Sequence, residues 1–227
     1  MIIKMRRINF SLTAHVFHSP RPQLICWLAL WALTGAGCTP DKTQSLLQPP
    51  QALGVVLAEE AATAAGANHQ VAVIAPDASW GPTSIAESAF RTAMKSKGYS
   101  VVTAKSANLG DPMKFRAGLK GADFLEALAQ SGGVGAVVSF AGAPLLSPAE
   151  AGQVSTGHPP VLVAATRVLG TVPGVASDRA LLTRLLAAKI IQLAVIDGAD
   201  SAAQKTGKSD ATHEMFLQNY HVLRPTD

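Results

Sequence analysis

Five short runs rich in apolar and β-branched residues recur along the chain: QVAVIAP (70–76), YSVVTA (99–104), GAVVSFAG (135–142), PPVLVAA (159–165) and IIQLAVI (190–196). In an extended chain successive side chains point to opposite faces, so a run that is apolar at consecutive positions is apolar on both faces. Such strands belong in a parallel sheet that is covered above and below. They are shorter than ordinary helices, and the segments between them are long enough for crossover connections. This alternation constrains the fold more than any other feature.

The intervening segments carry helical signals. ALGVVLAEEAATAAG (52–66) reads as a helix stopped by Gly66. In TSIAESAFRTAMKSKG (83–98), Ile85, Ala86, Ala89, Phe90, Ala93 and Met94 form one stripe at helical spacing. Ser84 and Glu87 have the spacing of a capping box, in which serine accepts from a free N–H and glutamate reaches back. Lys95 and Lys97 suit the negative end of the helix dipole, and Gly98 supplies a left-handed stop. Further helices are predicted within 111–133 (one broken or two short, stopped at Gly132), over 178–189 and near 213–220. Strands alternating with helices predict a three-layer α/β/α sandwich around a mostly parallel sheet of about five strands, of the Rossmann-like or flavodoxin-like kind. Ligands of such sheets sit outside the carboxyl ends of the strands, where strand order reverses. The residues expected there are Asp77, Ser79 and Trp80 after the first strand, and Phe140 and Ala141 after the third. Thr166 and Arg167 follow the fourth, and Asp197 the fifth.

The N-terminus has a different character. Lys4, Arg6, Arg7 and Arg21 precede the apolar run LICWLALWAL (24–33), which ends in the small residues of TGAGC (34–38). This is the layout of a secretory signal. Its apolar core of about ten residues is too short to cross ~30 Å of hydrocarbon as a helix. The segment also explains the pI of 9.2. Residues 1–37 hold four of the 19 basic residues and no acid, so the remainder is balanced at 15 against 15. The basic surface expected of a nucleic-acid binder is therefore missing.

GAGC (35–38) resembles the lipobox of bacterial lipoproteins, with Gly35 standing where that family usually has leucine. The resemblance implies cleavage before Cys38 and lipid attachment to its sulfur. It also implies the periplasmic face of the outer membrane, since Thr39 rather than an aspartate follows the cysteine. Cysteine usage agrees: Cys26 leaves with the signal, and Cys38 is then the sole thiol, without a disulfide partner. The alternative is an ordinary cleaved signal with an incidental cysteine. The expected organisation is a signal peptide over 1–37, a lipid-attached, proline-bearing tether over 38–51, and one α/β domain over 52–227.

Within that domain, HQVAVIAPDASWGPTSIAESAFRTAMKSKGYSVV (69–102) resembles a segment of the type I periplasmic binding proteins that carry amino acids and related solutes. Val71, Ile74, Asp77, Trp80 (where tyrosine is usual), Gly81, Phe90 and Gly98 fall on the matching positions. With FLEALAQSGGVGAVVSFAG (124–142) the resemblance extends over roughly 53–142. It implies solute binding at the strand ends. That family closes two lobes on its ligand, and this chain is about one lobe long. A solitary lobe implies a homodimer, an envelope protein partner, or loss of solute binding.

Each candidate also has a structural role open to it. Asp77 either orients a ligand amine or hydroxyl or accepts from backbone N–H groups in its turn. Trp80 is a stacking wall or a plug between loop and sheet. Arg167 clamps a carboxylate or lies on the surface. AAQKTGKS (202–209) matches a loose phosphate-loop pattern, but it lacks the leading glycine and the strand directly before it, and reads as a surface loop. His213 and His221 are eight apart, too far for the i, i+4 zinc pair. No nucleophile elbow and no strand–glycine–helix dinucleotide loop is present. The reading is a non-catalytic protein without cofactor or metal. Its function is to bind a small molecule or a partner at the strand ends, or to serve as an envelope interaction lipoprotein that has lost solute binding.

Overall fold

The computed structural model describes residues 42–77, 85–109, 119–166, 178–198 and 210–225. All lie in one compact unit, Lys42–Asp227. Its centre is a six-stranded sheet made of β1 (Gln70–Pro76), β2 (Ser100–Ala107), β4 (Ala136–Ser139), β6 (Val161–Ala165), β7 (Leu193–Asp197) and β8 (Tyr220–Leu223). The spatial order is β2-β1-β4-β6-β7-β8. Every pairing is parallel except β7 with β8. Two short strands, β3 (Leu119–Lys120) and β5 (Pro144–Leu145), pair separately. The fold is a doubly wound α/β sandwich with six strands rather than about five.

The apolar runs do what two-sided strands must do. Val71, Val73 and Ala75 of β1 pack into one core cluster, while Ala72 and Ile74 pack into the other. The first cluster is closed by α1 (Lys42–Ala65), α2 (Ile85–Ser96) and α6 (Ala211–Asn219). The second is closed chiefly by α3 (Gly121–Gln130) and α5 (Arg179–Ala187), with α4 (Pro148–Ala151) beside α3. In α2 the predicted stripe buries Ala86, Phe90 and Met94, whereas Ile85 at its head is exposed. Gly98 adopts φ +81 just past the helix, as its stop position requires. Glu87 pairs with Arg91 at 2.8 Å, and Ser84, its expected capping partner, lies outside the described residues.

Leu119–Lys120, inside the stretch 111–133 expected to be helical, is instead β3, and two larger elements also differ from expectation. Helix α1 begins at Lys42, not near 52, so ten residues of the expected tether are helical. Pro49 and Pro50 lie inside it. Proline favours a first helical position and cannot donate to the carbonyl four residues back, so this pair reads from sequence as a boundary. Strand β8 follows α6 with no intervening residue, because Tyr220 is both the cap of the helix and the first residue of the strand. Four residues fused to a helix end carry no separate strand signal.

Candidate functional site

Strand order reverses beside β1: β2 lies on one side of it and β4 on the other. The connection leaving β1 leads to α2, on the first face of the sheet. The connection leaving β4 leads to β5 and α4, on the second. In open α/β sheets such a switch point, at the carboxyl edge, is where a ligand is expected. Asp77 stands just past the end of β1, half-buried, with its backbone N–H donating to the carbonyl of Ala107 at 2.8 Å. That bond continues the β1–β2 pairing one residue past Pro76.

The turn 139–142 closes the end of β4. Ser139 is fully buried, and its hydroxyl donates to the Gly142 carbonyl at 2.7 Å. Gly142 adopts φ +84, a conformation that glycine takes without cost. The turn is thereby fixed across the end of β4. Neither residue was expected at the site. The spacing of serine and glycine in SFAG was the available signal.

Of the other candidates, Phe140 and Ala141 are wholly buried. The Phe140 ring meets Phe90 edge-on, with centroids 5.4 Å apart, and its N–H donates to the Ile74 carbonyl at 2.9 Å. Its side chain is committed to the core, and Ala141 packs into the cluster on the opposite face. Thr166 is likewise buried at the end of β6. Asp197 ends β7 opposite Tyr220, whose buried hydroxyl has no hydrogen-bond partner among the described residues. Burial, and secondarily the charge of Asp197, push the Tyr220 hydroxyl well above its ordinary pKa. Ser79, Trp80, Arg167, Cys38 and the 202–209 segment lie outside the described residues. The structure therefore places Asp77 and the Ser139–Gly142 turn at the carboxyl ends of the neighbouring strands β1 and β4.

A groove of about 840 Å³ lies elsewhere, between α1, α2 and α6. Gln51, Val55 and Glu59 line it from α1, Thr92 from α2, and Thr212 and Met215 from α6. At its margin His213 contacts Glu59 at 3.0 Å and Asp210 at 3.1 Å. Asp210 caps α6 by accepting from the His213 N–H, and this backbone bond holds its carboxyl below the usual range. His221 lies on β8 instead, so the two histidines do not share a helix. Among the described residues no three His, Cys, Asp or Glu side chains are grouped to hold a metal, and no helix is long and apolar enough to cross a membrane.

These features define the class: a doubly wound, mostly parallel α/β sandwich whose strand order reverses beside β1, with Asp77 just past the carboxyl end of that strand. No protein-family model matches the sequence, and no curated protein matches it significantly.

Proposed function

We propose that this chain is a lipid-anchored periplasmic protein, held by Cys38 at the outer membrane, whose single α/β body binds a small molecule or a partner at the carboxyl edge of its sheet. The observation that carries the reading is the reversal of strand order beside β1, with Asp77 just past the carboxyl end of that strand. A carboxylate there suits a ligand that offers an amine or hydroxyl. The lipobox-like GAGC and the basic, then apolar, segment before it support the anchor. The resemblance of 53–142 to one lobe of a solute-binding protein supports binding rather than catalysis.

A second reading has its own observation. Phe140, Ala141 and Thr166, at the strand ends, are wholly buried, while a groove opens between α1, α2 and α6. That arrangement favours an envelope interaction protein that has lost solute binding. Clickable palmitate in living cells tests the anchor. Wild type takes the label and Cys38→Ser does not, whereas an unlabelled wild type rejects the anchor. A thermal-shift screen against small solutes tests binding. A crosslinked envelope partner with no active solute selects the second reading.

A further inference from the structure

His213 lies in the first turn of α6, and both nitrogens of its ring face a carboxylate. Nε2 is 3.0 Å from Oε2 of Glu59, on α1, and Nδ1 is 3.1 Å from Oδ1 of Asp210, the cap of α6. A neutral imidazole carries one N–H and one lone pair. Whichever nitrogen holds the proton, the other then aims its lone pair at a carboxylate oxygen within hydrogen-bond distance. Only the imidazolium donates to both. The seat of α6 against α1 is therefore the geometry of the charged ring.

The two carboxylates are not equally free to leave. Asp210 Oδ1 also accepts from the His213 backbone N–H at 2.9 Å, and that bond caps the helix. Glu59 has another neighbour: its Oε1 lies 4.0 Å from the Lys97 ammonium, just past the end of α2. Loss of the ring proton leaves Asp210 in its cap and turns Glu59 toward Lys97. Among the described residues, the charged groups around the ring are Glu59 from α1, Lys97 from the end of α2, and Asp210 on its own element, with the exposed Glu214 next along the helix.

The first turn of α6 has little else to hold it. Phe216 is the one described residue of the helix that is buried. Before it, Asp210, Ala211 and Glu214 are exposed, and Thr212, His213 and Met215 half-buried. The other end of this C-terminal segment is tied to α1 by Arg224 and Glu60 at 2.7 Å, a pair whose guanidinium keeps its charge. Opening is thereby confined to the start of α6. Thr212 and Met215 line the groove there, opposite Gln51 and Val55 of α1.

We infer that His213 is a proton-operated latch: charged, it clamps the first turn of α6 to α1 beside the groove, and neutral, it lets that turn go. Histidine is the side chain that changes charge between about pH 5 and 8. The Asp210 carboxyl, held below its ordinary range by the His213 backbone N–H, stays ionised through that window. The closed turn binds the proton and the open turn loses both partners' help in holding it, so acidification favours closure. The α6 wall of the groove is firm at the acid end of the window and loose at the alkaline end. The latch is independent of the anchor and of any ligand at the carboxyl edge.

Amide hydrogen exchange of the full-length protein at about pH 5 and about pH 8, corrected for the intrinsic pH dependence of exchange, reads the opening. Surface ion pairs are weak, so protection of the Glu214 to Leu217 amides is expected to be about two- to five-fold greater at the lower pH. His213→Gln and Glu59→Gln are each expected to lose that difference. The two side chains are 39% and 38% exposed, so neither variant threatens the fold. The amides of α3, on the opposite face of the sheet, are expected not to share the change. Wild-type protection that is the same at both pH values overturns the latch. So does a pH difference kept in full by Glu59→Gln, or one shared equally by α3.

Discussion

At Gly54 two helices, α1 and α2, come into close contact. A Cβ there would collide with the Ala86 carbonyl and come within 2.8 Å of the Ala89 Cβ and the Phe90 nitrogen. Alanine normally gains about 1 kcal/mol over glycine inside a helix. Here overpacking against backbone, worth about 1–3 kcal/mol, opposes it. Gly54→Ala is expected to lose about 2 kcal/mol in a denaturant melt, while Gly132→Ala, with nothing within 4 Å, is expected to change little. Tyr220 presents the opposite case. Its buried hydroxyl lacks a partner among the described residues, so Tyr220→Phe should stabilise by about 1 kcal/mol, read as a rise in melting temperature. The folded state also holds the Tyr220 proton more tightly than the unfolded chain. Stability from that source is present below pH 10 and falls as pH rises above it, and the phenylalanine variant should lose this part of the alkaline decline. Neither site was legible in the sequence. Gly54 reads only as part of a helix, and Tyr220 as the last residue of one. Asp77 was legible, because its position follows from the end of a run whose type the residues themselves declare.

At the scale of elements, two helix caps and one surface cluster contribute to the pH dependence of stability at the acidic end. The Glu150 carboxyl is held below its ordinary value by the Ser147 backbone N–H and hydroxyl, and that of Asp210 by the His213 N–H. Glu126 is lowered by its hydrogen bond from Lys105, 2.6 Å away. All three carboxyls are more acidic folded than unfolded, so the unfolded chain binds more protons on acidification. Their contributions are present above about pH 4.5 and are lost as pH falls through the lower folded values. Asp210→Asn keeps a good cap but removes one titration, so its stability should fall less steeply between pH 5 and pH 3. Circular dichroism melts across that range check it. The strands and α2 were readable because their apolar spacing is enforced by burial on both faces of the sheet and on one helix stripe. The first ten residues of α1 were not. Two prolines and a polar composition argue locally for a boundary, and the helix nonetheless continues back through them to Lys42. Strand β8 was hidden for a related reason, since its sheet partner is distant in sequence and its start is a helix cap.

For the whole molecule, the alternation of two-sided strands with helices was enough to specify the layers, and the order of the strands places the reversal beside β1. What the pattern did not contain is how deeply the strand-end residues are buried. Phe140 reads as a residue at a strand end, and only the edge-on contact with Phe90 reveals it as core. The central claim is that the carboxyl edge binds a ligand through Asp77, and a solute thermal-shift titration of the mature protein tests it most directly. A solute at about a hundred times its Kd should stabilise the wild type by about 2.7 kcal/mol, or roughly 5–10 °C. Asp77→Asn keeps a turn-forming side chain without the charge, so it should fold normally and lose most of that shift. A wild type unmoved by every solute, or a shift that survives intact in Asp77→Asn, would contradict the claim.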